Sequence, residues 1–183
     1  MKHAEENKVL EYYEAYKDTV YKLAYSYCKN KNQTEDAFQE VFYKFIKSNP
    51  KFKNPEHEKA WFIRTTINVC KDILKSKWNN AVVQLEEWDR SHTFQEEPGD
   101  VFDELRENIL ALPEKYRVPI HLYYYEEYSV REIARLLHRS ESAVQTQLQR
   151  GREKIKEAME RSDKHEIESR YLQSIHGEYP NFR

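Results

Sequence analysis

The stretch SVREIARLLHRSESAVQTQLQRGREK, residues 129–154, contains two helical patterns joined by a short turn at HRS. Ser129 and Glu132 have the spacing of a capping box, in which a hydroxyl and a carboxylate each bond an end amide of the helix. The second helix is expected to begin after Ser140 as its N-cap, with apolar residues three and four apart along one side. The stretch therefore predicts a helix-turn-helix.

The second helix of this motif carries amides and hydroxyls opposite its apolar stripe. These polar positions are Ser142, Gln145, Thr146, Gln149 and Arg150. Such a surface suits entry into the major groove of DNA, where short polar side chains read base edges. Nearby basic residues that could reach phosphates are Arg139, Arg150, Arg152 and Lys154. The pattern alone leaves open an amphipathic helical hairpin with a solvated polar face.

The composition of the whole chain favours packed helices. Of the 183 residues 39% are hydrophobic and 34% charged, with only 3 Gly and 6 Pro, too few turn-formers for a many-stranded sheet. No apolar run reaches signal-peptide or membrane-spanning type, so a cytoplasmic protein without direct membrane insertion is expected. The two cysteines, Cys28 and Cys70, lie among apolar neighbours and are expected to be buried free thiols.

The net charge of −2 hides an uneven distribution. Residues 44–78 hold nine Lys or Arg against three acids, and residues 129–156 hold seven against three. Between them, residues 81–104 hold eight acids and one Arg. Two basic modules thus flank an acidic linker. The predicted architecture is all-α, with two small helical domains at 1–79 and 101–161, an acidic linker at 80–100 and a C-terminal tail at 162–183.

Residues 9–78 are predicted to form three helices. Thr34 is the expected N-cap of the second helix. The third is expected at 59–77, after an irregular loop marked by Pro50 and Pro55. In the second module, Pro119 is expected to kink its helix or to move the helix start later.

Two polar faces in the first module invite a functional interpretation. The second helix presents Asp36, Gln39, Glu40 and Tyr43, a face that could bind a basic partner but by pattern alone is more simply solvated. The third helix presents Arg64, Asn68, Lys71 and Lys75, with Trp61 and the Phe52 loop nearby. Basic and aromatic residues together hold single-stranded nucleic acid. The alternative is a solvated face with Trp61 in the core.

Four ordered segments resemble the small extracytoplasmic-function (ECF) type of bacterial RNA polymerase sigma factors. They are DAFQEVF, AWFIRTTINVCKD, LPEKYR and the opening stretch with the Ile that follows it, and the resemblance spans roughly residues 9–160. It implies a region 2 helical bundle and a region 4 helix-turn-helix. The acidic linker would thread toward the polymerase active-site cleft, and the alternative is a solvated tether. The implied function is to bind core polymerase, recognise promoter elements and initiate transcription at a specialised regulon, without enzymatic chemistry, cofactor or metal.

The resemblance also implies roles for individual residues. The contact with core polymerase would be made by Asp36, Gln39, Glu40, Phe42 and Tyr43. The minus-ten element would be recognised and melted by Lys51, Lys53, Asn54, Trp61, Arg64, Asn68, Lys71 and Lys75, with Trp61 alternatively anchoring the fold. The minus-thirty-five element would be bound by Arg139, Ser140, Ser142, Gln145, Thr146, Gln149, Arg150, Arg152 and Lys154.

The sequence departs from the family pattern within the helix-turn-helix. His138 stands where a Gly is usual in the turn, and Ala143 stands where a Thr is usual. His138 can adopt the left-handed conformation, though less readily than Gly. Gln145 and Gln147 replace residues that are commonly basic, which leaves the base preference open.

The resemblance further implies an anti-sigma factor partner, which could hold the protein at the membrane. A different hypothesis is a stand-alone helix-turn-helix regulator that binds duplex DNA as a dimer. That hypothesis explains the second module but gives no role to the basic face of the third helix or to DAFQEVF. An enzyme is disfavoured, because His57, His121 and His138 are scattered and no HExxH, CxxC or Gly-rich phosphate loop occurs.

Overall fold

In the computed structural model, the backbone of residues 2–79 and 100–176 and the side chains of residues 7–76 and 105–161 are described. Within these ranges the regular structure is entirely helical, which confirms the all-α prediction. The seven helices are α1 (Lys2–Cys28), α2 (Lys31–Ser48), α3 (Pro55–Asn79), α4 (Asp100–Ala111), α5 (Glu114–Tyr124), α6 (Val130–Leu137) and α7 (Glu141–His176). Apart from its last residue, the predicted acidic linker lies outside the described residues.

Helices α1, α2 and α3 pack against one another and form an N-terminal bundle with an aromatic core. Phe62 is its centre, fully buried, with the Tyr16 ring stacked at 4.3 Å between centroids. The rings of Trp61 and Phe45 lie 5.1 Å and 5.2 Å from it. Large rings bury much apolar surface and add favourable pair geometry, so this cluster ties three long helices together.

The boundaries of α2 and α3 correct two sequence predictions. Asn30, not Thr34, is the N-cap of α2, because the Asn30 side chain accepts a hydrogen bond from the Gln33 amide at 2.9 Å. Thr34 is buried one turn inside the helix, where its hydroxyl donates to the Asn30 carbonyl. Helix α3 begins at Pro55 rather than residue 59, since proline at the first helical position loses no bond that it could have made.

Helices α4 to α7 form a C-terminal bundle whose core is mostly aliphatic. Its buried aliphatic members are Leu112, Val118, Ile120, Leu122, Ile133, Leu136, Leu137, Val144 and Leu148. Pro119 lies inside α5 without moving the helix start later than Glu114. Helix α7 is 36 residues long and continues to His176, through most of the expected tail.

The two bundles touch where α1 packs against α5. Both cysteines belong to the N-terminal bundle and neither is in a disulfide within the described residues; Cys70 is buried, as expected, whereas Cys28 is half-buried. The neighbouring Cys28 thiol and burial both raise the pKa of Cys70, so its thiolate is disfavoured. None of the helices in the described ranges is both long and apolar enough to cross a bilayer.

Candidate polymerase and nucleic-acid interfaces

The helix-turn-helix forms as the sequence predicts. The Ser129 hydroxyl accepts from the Glu132 amide at 3.3 Å, and the Glu132 carboxylate accepts from the Ser129 amide at 2.9 Å, which completes the capping box. His138 adopts the left-handed conformation at φ 55° and ends α6. The Ser140 hydroxyl then accepts from the Ala143 amide at 3.2 Å and caps α7. The caps fix the angle at which α7 leaves the turn.

Helix α7 presents its predicted recognition residues to solvent. Those that are exposed are Ser140, Ser142, Gln145, Thr146, Gln149, Arg150, Arg152 and Lys154. Its opposite side packs against α4, α5 and α6, and Gly151 is buried on that side. A Cβ at Gly151 would lie 2.5 Å from Ile120 Cδ1 and 3.3 Å from Ile120 Cγ1, so a side chain there would require the Ile120 side chain to move.

Arg139 differs from the other predicted recognition residues because it is half-buried. Its Nη1 donates to Gln147 Oε1 at 2.9 Å, which joins the turn to the second turn of α7. Gln147 stands where the family commonly has a basic residue, and its side chain accepts this hydrogen bond from Arg139. This hydrogen bond holds the side chain of Arg139 against α7.

The DAFQEVF face lies on α2. Asp36, Gln39 and Tyr43 are exposed, and Glu40 is half-buried with its carboxylate 3.5 Å from Lys44 Nζ. Phe42 is only 7% exposed because it belongs to the apolar stripe of the helix, so it supports this face from beneath. The structure therefore leaves four of the five predicted contact residues accessible.

Apolar residues that sequence reasoning missed extend this surface. Ile46 is 58% exposed one turn beyond Tyr43, which is itself 56% exposed. Leu10 and Tyr13 of α1 are also exposed, and the Tyr13 ring lies 5.2 Å from that of Phe42. Their position on the outer side of otherwise apolar helical patterns was the signal available in the sequence. Exposed apolar residues beside acidic ones mark a candidate protein interface.

The basic face of α3 is accessible along its length. The exposed members of the predicted minus-ten set are Lys51, Lys53, Asn54, Arg64, Asn68 and Lys75, and Lys71 is half-buried. The Asn54 side chain caps α3 by accepting from the His57 amide at 2.8 Å, so part of its bonding capacity is already used. The face joins the loop before α3 to the body of that helix.

Trp61 has features of both predicted roles, contact with nucleic acid and anchoring of the core. Its ring is half-buried and meets Phe45, Phe52 and Phe62 edge-on, with centroids 5.9, 6.0 and 5.1 Å away. Trp61 therefore belongs to the aromatic cluster, with one part of its ring open to solvent. The same contacts place the Phe52 loop against α3.

Sequence reasoning missed a polar contact between the bundles. Lys59 Nζ of α3 lies 3.1 Å from a carboxylate oxygen of Glu126, in the turn after α5. The two residues are 67 positions apart, so no local pattern could have joined them. Burial acts to raise the pKa of Glu126, but His121 and Lys59 outweigh it and hold that pKa below its ordinary value. Glu126 is thus a buried carboxylate in its charged form at neutral pH.

Family models match both bundles. The Sigma-70 region 2 model matches residues 12–80, and the Sigma-70 region 4 model matches residues 102–155. A helical bundle followed by a capped helix-turn-helix, in the order of these two regions, defines a transcription initiation factor of the sigma class.

Sequence relatives agree. The chain is 30% identical over 135 residues to the RNA polymerase sigma factor SigV of Bacillus subtilis, covering 74% of this chain and 81% of that protein. It is 28% identical over 158 residues to the ECF RNA polymerase sigma factor SigX of the same organism, covering 81% of each. The chain belongs to the ECF RNA polymerase sigma factors of the sigma-70 family.

A solved structure has the same fold. It is the sigma factor RpoE of Bartonella quintana, crystallised with the anti-sigma factor NepR. The TM-score is 0.66 at 16% sequence identity, and the match covers 85% of this chain and 96% of that one.

Proposed function

We propose that the chain is a dissociable promoter-specificity subunit that binds core RNA polymerase through α2 and promoter DNA through α3 and α7. The single observation that carries this proposal is the separation of three accessible polar faces, one on each of these helices, from the apolar sides that fill the two cores. No bond chemistry is assigned to the chain. Its contribution is binding energy for promoter elements and for melted DNA.

Helix α7 is proposed to read the minus-thirty-five element. Its exposed Gln145 and Thr146 follow the N-terminal cap by about one turn, which is the part of a recognition helix that reaches base edges. Arg150, Arg152 and Lys154 lie further along the same helix and are suited to phosphates, which fix position without reading sequence. The two contributions should separate experimentally.

The face of α3 and the loop before it are proposed to hold the minus-ten element in its melted form. Unstacking a base costs a few kcal/mol, so the protein must return comparable binding energy. Arg64, Asn68 and Lys75 provide charge and hydrogen bonds along the backbone. The open part of the Trp61 ring, beside Phe52, offers a surface for stacking.

The acidic and apolar surface around Tyr43 is proposed to bind core polymerase. Asp36 and Glu40 would meet basic residues of the polymerase, while Tyr43 and Ile46 supply apolar area. An anti-sigma factor is proposed as the second protein partner, because the solved relative RpoE was crystallised with NepR. The proposed location is the cytoplasm, or the membrane face when an anti-sigma factor anchored there holds the protein.

The test of the proposed function is in vitro transcription with sigma-free bacterial core polymerase on a pool of genomic fragments, with and without this protein. Initiation that depends on the protein, at fragments sharing two spaced motifs, is expected. Binding to palindromic duplex fragments without polymerase, and no initiation, would instead establish the stand-alone regulator.

Two variants locate the interfaces within that assay. Asp36→Lys with Glu40→Lys should abolish association with core polymerase, whereas the exposed α1 pair Glu11→Lys with Asp18→Lys carries the same charge change and should not. Gln145→Ala should lower initiation at promoters that depend on the upstream motif and spare those that lack it. Glu157→Ala, exposed further along α7, is its control. Equal loss in test and control variants would remove these faces from the proposal.

A further inference from the structure

A partly buried polar contact between the bundles has no role in the proposed function. Lys59 of α3 donates to the backbone carbonyl of Glu126 at 2.9 Å, and its Nζ lies 3.1 Å from the Glu126 carboxylate. The same ammonium lies 5.5 Å from the centre of the Tyr128 ring. Three interactions therefore fix one lysine of the N-terminal bundle on the turn that follows α5.

Glu126 also has a partner in its own bundle, His121 of α5. Its side chain is 6% exposed, and its second carboxylate oxygen lies 3.7 Å from His121 Nε2. A buried carboxylate is costly unless it is paired, and Lys59 is its ammonium partner in this structure. Loss of Lys59 from this position would leave the charge of Glu126 poorly compensated, so the contact favours the closed arrangement of the bundles.

A second contact joins the bundles at the end of α1. The Arg117 guanidinium of α5 is 3% exposed and donates to the Ser26 carbonyl and, at 3.3 Å, to the Tyr27 carbonyl. Carbonyls in the last turn of a helix have no partner within the helix and carry partial negative charge, so they suit a buried cation. Burial lowers the pKa of Arg117 to about 10, which leaves it charged at neutral pH.

The first of these contacts lies on the helix proposed to hold melted DNA. Lys59 lies five residues before Arg64, the first residue of the basic face, on the same helix. Burial raises the pKa of Tyr128 to about 12, and Arg64 lies close enough to oppose that rise. The contacts of Lys59 with Glu126 and Tyr128 place this turn beside the N-terminal part of α3.

We propose that Lys59 and Glu126 form an intramolecular latch that closes the free protein and that single-stranded promoter DNA competes with Glu126 for Lys59. The Glu126 carboxylate takes the place on Lys59 that a phosphate would take in the DNA complex. Arg117 supports the closed arrangement from the other side of the interface. The competition rests on the proposed DNA-binding role of α3, whereas the closed state does not.

Small-angle X-ray scattering of the free full-length protein tests the closed state without DNA or polymerase. Lys59→Glu sets two carboxylates against each other and should increase the radius of gyration. The exchange Lys59→Glu with Glu126→Lys restores opposite charges and should return the radius toward that of the wild type. Circular dichroism confirms that each variant remains helical. An unchanged radius for Lys59→Glu, or no recovery in the exchange, overturns the latch.

The competition is tested by the affinity for a fluorescein-labelled, mixed-sequence single-stranded DNA. Glu126→Gln keeps the shape of the side chain and should tighten binding by about threefold to fivefold, the effect of removing one competing ion pair. Glu127→Gln is the matched control, because it removes the same charge from the exposed neighbouring residue. Equal changes in the two variants overturn the competition. Failure of in vitro transcription would instead count against the proposed function and leave the scattering result unaffected.

Discussion

The two bundles are stabilised in different ways. The N-terminal bundle has helices of 27, 18 and 25 residues held by a cluster of rings around Phe62. In the C-terminal bundle α4, α5 and α6 have 12, 11 and 8 residues and surround one long helix with aliphatic side chains. Short helices gain little from their own backbone bonds, so caps and close packing matter more there. This chain thus builds one bundle on a cluster of rings and the other on helix caps and close aliphatic packing.

The largest expected effect breaks the ring cluster. Phe62→Ala should lower the free energy of unfolding by about 3–5 kcal/mol, because it removes a fully buried ring and leaves a cavity among its aromatic neighbours. Urea unfolding followed by circular dichroism measures it. The exposed Tyr43→Ala, from the same bundle, should change stability by less than about 0.5 kcal/mol. A small loss for Phe62→Ala would mean that no single ring is central.

The next prediction concerns close packing in the C-terminal bundle. Gly151→Ala should lower the free energy of unfolding by about 1–2 kcal/mol. The overlap of the new Cβ with Ile120 Cδ1 destabilises the protein by more than the better helix propensity of Ala stabilises it. Ile120→Val removes that methyl group. The double variant should therefore be more stable than the sum of the single changes predicts, measured by a double-mutant cycle in urea. Additive losses would show that the overlap is relieved elsewhere.

A smaller effect is expected at the cap of α6. Ser129→Ala should cost about 1 kcal/mol at neutral pH, because the Glu132 amide loses its acceptor. Hydrogen bonds from the Ser129 side chain and backbone hold the pKa of Glu132 below its ordinary value of 4.5. The stabilisation by charged Glu132 is therefore complete above pH 4.5 and lost as pH falls through the lower, folded-state pKa. The Ser129 hydroxyl also donates to the Glu132 carboxylate, so unfolding at several pH values should show the penalty of Ser129→Ala shrinking in acid. A constant penalty would show that this hydroxyl–carboxylate bond does not contribute to stability.

The smallest effect compares the left-handed residues that end helices in the two bundles. His138 at φ 55° ends α6, and Asn49 at φ 40° ends α2. Asn tolerates this conformation better than His, so His138→Gly should stabilise the protein by about 0.5 kcal/mol and Asn49→Gly by less. Thermal unfolding in parallel distinguishes them. A larger increase in stability for Asn49→Gly than for His138→Gly would contradict the view that the C-terminal bundle depends more on its turns.

The correct sequence predictions are those that depend on residues close together in the chain. The capping box, the turn at His138 and the buried stripes follow from residue spacing within one helix, and all three are present. The starts of α2 and α3 were wrong because Asn30, Asn54 and Pro55 suit both a loop and a helix beginning. Local propensity allows such residues either in a loop or at the start of a helix, and tertiary packing decides between the two.

The candidate site was predictable as a set of faces but not as contacts. The exposed residues of α2, α3 and α7 are largely those expected from helical periodicity. Helical periodicity puts Phe42 on the apolar side of α2, where the structure has it, whereas its role as a polymerase contact came only from the family resemblance. The ion pair between Lys59 and Glu126 joins the two bundles. It could not be predicted from the sequence, because the two residues are 67 positions apart and no local pattern relates them.

Arg117 constrains how this protein can evolve. Its guanidinium bonds the carbonyls of Leu110 and Leu112 within the C-terminal bundle and those of Ser26 and Tyr27 in the N-terminal one. A single substitution there alters the α4–α5 corner and the junction of the bundles together. A substitution at this position therefore cannot change the junction of the bundles without also changing the interior of the C-terminal bundle.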